Sequence, residues 1–147
     1  MERLSVIAKL ALSSRSVSRG DAVMFDIDDT LWEPMTNARI QPMIELLYTA
    51  RMLGYIIFVI TARPGTPANR QWTISQLHGM LGVVPDHLTF CAPEHKSAVK
   101  AELERAGRAR FIMSVGDQWT DLGSTKWWLK LPASNDPRMG GNFYTLG

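Results

Sequence analysis

The stretch AVMFDIDDTLW, residues 22–32, sets three aspartates directly behind an apolar run. Ala22 to Phe25 reads as a short buried strand, and carboxylates buried at its end without partners would be costly. Whatever follows must therefore give Asp26, Asp28 and Asp29 either an ordinary solvated turn or a cation and a reacting group to surround.

The rest of the chain repeats the strand signal at intervals. YIIFVI (55–60) is a continuous apolar, β-branched and aromatic run of the kind found in central parallel strands. DHLTFCA and RFIMSV give two more strands, and WLKLP or NFYTL a last one. Between them lie helical patterns. MIELLYTARML stops at Gly54, ANRQWTISQLHGML near Gly82 and EHKSAVKAELERA at Gly107, with QWTDLGSTKWW as a fourth, short helix. Strand and helix alternate throughout, which predicts a single α/β domain built on a parallel sheet of about five strands with helices on both faces.

A chain of 147 residues has room for one such core. With 46% hydrophobic and 20% charged residues, it has the balance of a globular protein and not of a disordered one. The net charge of +2 is uneven: residues 1–20 carry Arg3, Lys9, Arg15 and Arg19 against Glu2, which leaves the remainder slightly acidic. A general nucleic-acid-binding surface is thus not expected on the core, although the basic N-terminal arm could assist one. Residues 1–20 read as an amphipathic helix and polar connector preceding a single domain at 21–147. The segment LSVIAKLAL is interrupted by Lys9 and lacks a small-residue cleavage site, so it is not read as a signal peptide. A lone cysteine, Cys91, rules out an internal disulfide, and no apolar run is long enough to span a bilayer. The expected location is intracellular, with the cytoplasm as the default.

In parallel α/β sheets ligands sit beyond the carboxyl ends of the strands. There this chain places Asp26 and Asp28 after strand one, Thr61 and Arg63 after strand two, Lys96 at the opening of the third helix, and Asp117 and Asp121 after strand four. Carboxylates suit a hard, oxygen-seeking cation such as magnesium, and the hydroxyl and lysine suit a phosphoryl oxygen. Asp117 and Asp121 would share a face if helical. Lys100 lies on the same helix face as Lys96 and is its competitor. Asp29 reads as a supporting or solvent-facing residue, Arg70 as a surface residue, and His78, His87 and His95 show no metal-ligand spacing. Trp32 either lines the site entrance or fills the core.

These stretches resemble the motifs of the haloacid dehalogenase superfamily of phosphohydrolases. DIDDTL is similar to its first motif, VITAR to its second, Lys96 stands where the third-motif lysine is expected, and VGDQWTDL resembles the fourth. GDQWTDLGS, HKSAVKAEL and LKLP are also similar to class B (subfamily IIIB) acid phosphatases, including plant vegetative storage proteins. The resemblance implies a Rossmann-like fold and a magnesium-dependent phosphomonoesterase. Asp26 would be the nucleophile and Asp28 the general acid and base. Asp26, the Asp28 carbonyl and Asp117 would hold Mg2+, with Asp121 a direct or supporting ligand. Thr61 and Lys96 would bind the phosphoryl group, and Arg63, directly after the Thr61 loop, is a further candidate for that role. The gaps between motifs leave no room for a cap domain. A polynucleotide end phosphatase is the alternative within catalysis, and a non-catalytic binding or storage protein the alternative outside it. Adjacent Trp127 and Trp128, with the Met-, Gly- and Tyr-containing tail, point to an apolar subunit contact and hence to a homo-oligomer, most simply a dimer.

Overall fold

The apolar run ahead of the aspartates becomes the central strand of a sheet. The structure, a computed structural model, describes residues 1–123 and 125–132, and residues 142–145 as backbone. Strand β1 (Asp21–Phe25) is buried along its whole length because parallel neighbours flank it on both sides. On one side it pairs with β4 (Ile56–Thr61), which pairs in turn with β5 (His87–Phe90). On the other it pairs with β6 (Arg110–Gly116), followed by β7 (Trp127–Lys130). The spatial order β5-β4-β1-β6-β7 is the expected parallel sheet of five strands. A sixth, β8 (Asn142–Thr145), joins the β7 edge antiparallel. Both candidate last strands therefore exist.

Alternation along β1 and β4 divides the interior into two cores. Val23, Phe25, Ile57 and Val59 face helices α1 (Glu2–Ser13) and α2 (Gln41–Leu53). Ala22, Met24, Phe58 and Ile60 face α4 (Lys96–Arg105), which contributes Val99 and Leu103. Helices thus cover both faces. Full burial of a side chain such as Phe25 or Ile57 stabilises the fold by about 1.5–3 kcal/mol each. Helix α2 forms because Met43, Ile44, Leu46, Leu47 and Ala50 recur at helical spacing. It stops at Gly54, whose φ of 105° lies in the left-handed region that glycine reaches without a Cβ clash. The N-terminal helix packs on α2 and sends Ala8 and Leu12 into the larger core. No helix among the described residues is long and apolar enough to cross a membrane.

Residues 32–39 fold as a small hairpin, β2 (Trp32–Glu33) and β3 (Ala38–Arg39), and of the two places open to Trp32 it takes the core. Two local readings are corrected. Helix α3 (Pro67–Ser75) does not run unbroken to Gly82; it passes into a π-helical turn over Gln76–Met80, which directs Leu77 into the core. The segment read as a fourth helix, QWTDLGSTKWW, is a single 3₁₀ turn at Trp119–Asp121 followed by β7, and Trp127 and Trp128 lie in that strand. The Met- and glycine-containing tail invoked for a subunit contact lies largely outside the described residues.

The start of β1 is tied down by a feature the residue pattern does not announce. The fully buried carboxylate of Asp21 accepts from Arg15 Nη1, Arg110 Nε and the Ser18 N–H, each at 2.8 Å. Burial alone would raise its pKa. The Ser18, Arg15 and Arg110 hydrogen bonds outweigh that and hold it below the ordinary value of 3.8. Asp21→Asn is therefore expected to lower stability by about 2 kcal/mol at neutral pH. Because the folded pKa is depressed, this contribution is complete above the unfolded value and is lost as pH falls below it. In urea titrations the gap between wild type and variant should be full at pH 7 and shrink as the pH drops below about 4.

Candidate active site

Past Phe25 the backbone remains in the sheet for one more residue, since Asp26 N–H still donates to Val115 O at 3.1 Å. It then winds around one carbonyl. Ile27 O accepts from the N–H groups of Thr30, Leu31 and Trp32 at 3.1, 2.8 and 3.1 Å, while the Ile27 side chain anchors the turn in the core. Asp29 adopts φ 59°, a left-handed conformation that aspartate tolerates better than most residues. This tight turn presents Asp26, Asp28 and Asp29 to a cleft of about 400 Å³, whose walls also include Ala62, Arg63, Pro64, Asp117 and Gln118.

The cleft lies where the chain topology predicts a ligand. The connection leaving β1 runs toward β4 and the one leaving β6 runs toward β7, so the carboxyl ends of β1 and β6 part at a topological switch point. Asp26 follows one of these strands and Asp117 the other. Asp121 arrives by a different route from the shared helix face expected. The 3₁₀ turn folds the chain back so that Asp121 packs directly against Gly116, where any Cβ would overlap the Asp121 carboxylate. The glycine of GDQWTD is thus a requirement of close approach. Asp121 is then held in place by the Gln118 N–H, which donates to Oδ2 at 3.1 Å.

Asp26, Asp117 and Asp121 are all buried, and each offers an oxygen within 4.8 Å of the other two. Among them sits Lys96, only 2% exposed, donating to Asp26 Oδ1 at 3.0 Å and Asp121 Oδ1 at 2.6 Å. Its competitor Lys100 is also buried but turns the other way, onto the Asp121 backbone carbonyl at 2.6 Å and Ser114 Oγ at 2.9 Å. Burial draws the Lys100 pKa down to about 7. Burial acts on Lys96 in the same sense, yet the charges of Asp26 and Asp121 outweigh it and its pKa rises.

The carboxylates show the complementary effect. Burial, reinforced by the charge of Asp121, pushes Asp26 well above the usual carboxylate range against the pull of Lys96. Asp117 is raised for the same first reason, in spite of a hydrogen bond from Gln118. Three carboxylates and one ammonium sum to −2 when all are ionised, so the cluster lacks a dication's worth of positive charge. Oxygens opposite one another across an octahedral magnesium lie about 4 Å apart, and the three carboxylates here can offer oxygens all within 4.8 Å of one another. The donor set is all oxygen and fits a hard divalent cation.

The remaining candidates form a second group. Asp28 does not join the carboxylate cluster with its side chain, which is 40% exposed and paired with Arg63. Arg63 Nε and Nη2 donate to the two Asp28 oxygens at 2.9 and 2.8 Å. Thr61 is fully buried at the end of β4, and its hydroxyl accepts from the Arg63 N–H at 3.2 Å. Arg70 lies over the Phe90 ring and donates to Gly65 O at 2.7 Å, so it braces the loop after β4. His87 stacks on Phe58. Sequence reasoning missed Gln118, which lines the cleft and donates to both aspartates of its motif; its place between two site aspartates was the available signal. The chain matches no family model and no curated protein, so its chemistry is argued from this geometry.

Both Asp121 oxygens already accept hydrogen bonds, from Lys96 and the Gln118 N–H, whereas Asp117, which accepts from Gln118 Nε2 at 3.2 Å, lines the cleft itself. Asp117→Asn should therefore weaken magnesium binding more than Asp121→Asn, and Asp121→Asn should cost more stability. Calorimetric titration with Mg2+ and thermal melts of the metal-free variants check the two orders.

Proposed function

We propose that the protein is a magnesium-dependent phosphomonoesterase of the haloacid dehalogenase type, working through an aspartyl-phosphate on Asp26. The observation that carries this reading is the buried cluster of Asp26, Asp117 and Asp121 around Lys96, set at the switch point of the sheet. Of these aspartates, Asp26 and Asp117 line the cleft. A nucleophile, a hard-cation site and a fixed ammonium within hydrogen-bond reach of one another are what phosphoryl transfer requires.

In the proposed reaction a carboxylate oxygen of Asp26 attacks phosphorus and the bond from phosphorus to the ester oxygen breaks. Asp28, at the rim of the cleft, gives its proton to the leaving oxygen. Asp28, now ionised, takes a proton from water as that water attacks phosphorus, and the phosphorus bond to Asp26 breaks to release inorganic phosphate. Lys96 remains protonated between Asp26 and Asp121, offsets the repulsion between carboxylate and phosphate, and fixes the attacking oxygen. Asp26, the Asp28 carbonyl, Asp117 and Asp121 would hold the magnesium, which when bound neutralises charge on the phosphoryl oxygens. Thr61 would donate to a phosphoryl oxygen. The small hairpin β2–β3 is the only structure inserted between β1 and α2, so the cleft has no cap over it from that connection. This suits esters carried on bulky or macromolecular groups as well as small ones.

Asp26→Asn should abolish hydrolysis of phosphomonoesters, with a loss of at least about 1,000-fold expected from removal of a nucleophile that acts as a unit with its acid. The fold should persist, since the amide keeps the shape and can still accept from Lys96. A panel of 3′- and 5′-phosphorylated oligonucleotides, phosphopeptides and small esters, assayed with and without Mg2+, checks this. Turnover by the variant within tenfold of wild type would sink the covalent route.

A further inference from the structure

Arg63 stands beside the cleft, where a phosphate-binding role is the natural first reading, but its guanidinium is already occupied. Two N–H groups grip both oxygens of Asp28, and Nη1 donates to Thr73 Oγ1 at 3.2 Å. The same group lies over the Trp72 ring, 4.9 Å from its centre. Its side chain is only 10% exposed, while that of Asp28 is 40% exposed. A bidentate pair fixes the plane of a carboxylate as well as its position, which a single point contact does not do.

We infer that Arg63 is a positioning residue for Asp28, and that α3, through Thr73 and Trp72, sets where Asp28 presents its carboxyl group to the leaving oxygen. The role rests on the phosphatase reading above and gives it a part not supplied by the aspartate cluster. Asp28 sits on a tight turn at the cleft rim, and among the described residues both hydrogen bonds to its side chain come from Arg63. Released from that grip, the carboxyl could rotate into solvent, and proton transfer demands a donor within hydrogen-bond reach of the bridging oxygen. Thr73 is fully buried on α3 and holds Arg63 from behind. Trp72 covers one face of the guanidinium and limits its swing.

The signature of such a role is dependence on the leaving group. An alkyl ester needs protonation of its leaving oxygen, and an aryl ester with strong electron withdrawal scarcely does. Arg63→Ala should therefore lower kcat about 10- to 100-fold for an alkyl phosphate, but only a few-fold for the activated aryl ester, with KM little changed for either. Arg63→Lys, which restores charge and one donor, should recover part of the loss. Thr73→Val should show the same selectivity in weaker form.

Melting curves of all three variants, read with Mg2+ present, separate this from simple damage to the fold. A rise in KM with equal loss for both esters would overturn the positioning role and return Arg63 to phosphate binding. Equal loss tracking a lowered melting temperature would overturn it in favour of a purely structural pair. If wild-type protein with Mg2+ hydrolyses neither ester nor any of the panel, the phosphatase reading itself fails, and the role for Arg63 fails with it.

Discussion

A single buried ammonium governs this site. Lys96 bonds to one carboxylate at the end of β1 and to another on the 3₁₀ turn after β6, and without it Asp26 and Asp121 would face each other inside the protein with no compensating charge. Removing one partner from a buried ion pair typically costs about 3–5 kcal/mol. Much of the surrounding architecture follows from keeping that lysine where it is. Helix α4 begins at Lys96, and the 3₁₀ turn carrying Asp121 packs against it. Gly123 permits this contact, since a Cβ there would overlap the Ser97 hydroxyl. Lys100 then secures the same turn from behind, through the Asp121 carbonyl.

The cluster is consequently stable in position but unbalanced in charge. Burial raises the pKa of both Asp26 and Asp117, which means that each is more easily protonated than a surface carboxylate. Carboxylates perturbed in this way in a cleft are a feature that functional sites share with structural ion networks. On the proposed function a cation would supply the missing positive charge, and a phosphoryl group the target for the ionised Asp26. Asp28 lies outside this field, on the rim, where solvent exposure and Arg63 set its surroundings. The two aspartates of the first motif, only two residues apart, thus occupy different electrostatic environments. That division suits a nucleophile and a proton carrier.

The fold was legible because its strands are buried on both faces, so their apolar runs are continuous and need no partner information to recognise. The meeting of Asp26 and Asp117 followed from strand direction, and that of Lys96 with them from its place at the opening of a helix on the same edge of the sheet. What failed were segments whose geometry is decided by tertiary contact. Residues 118–128 carry helix-compatible spacing, yet edge pairing with β6 draws Trp127 and Trp128 into a strand, and the turn before them is set by Gly116 and Asp121. The Arg63–Asp28 pair joins residues 35 positions apart; residue types cannot reveal which of several nearby acceptors a long side chain will choose. Asp21 was passed over for a similar reason, since Arg110 lies 89 positions away in the chain, and Arg15, although close in sequence, meets it only once the turn before β1 has formed.

The account stands or falls on a covalent bond at one residue. Wild-type protein mixed with Mg2+ and a rapidly reacting aryl phosphate, then quenched with borohydride during turnover, would have any aspartyl-phosphate reduced to homoserine. Peptide mapping by mass spectrometry should find that conversion at Asp26, and only when both magnesium and substrate are present. Rapid hydrolysis with Asp26 unmodified, or with the conversion at Asp28 or Asp117 instead, would contradict it.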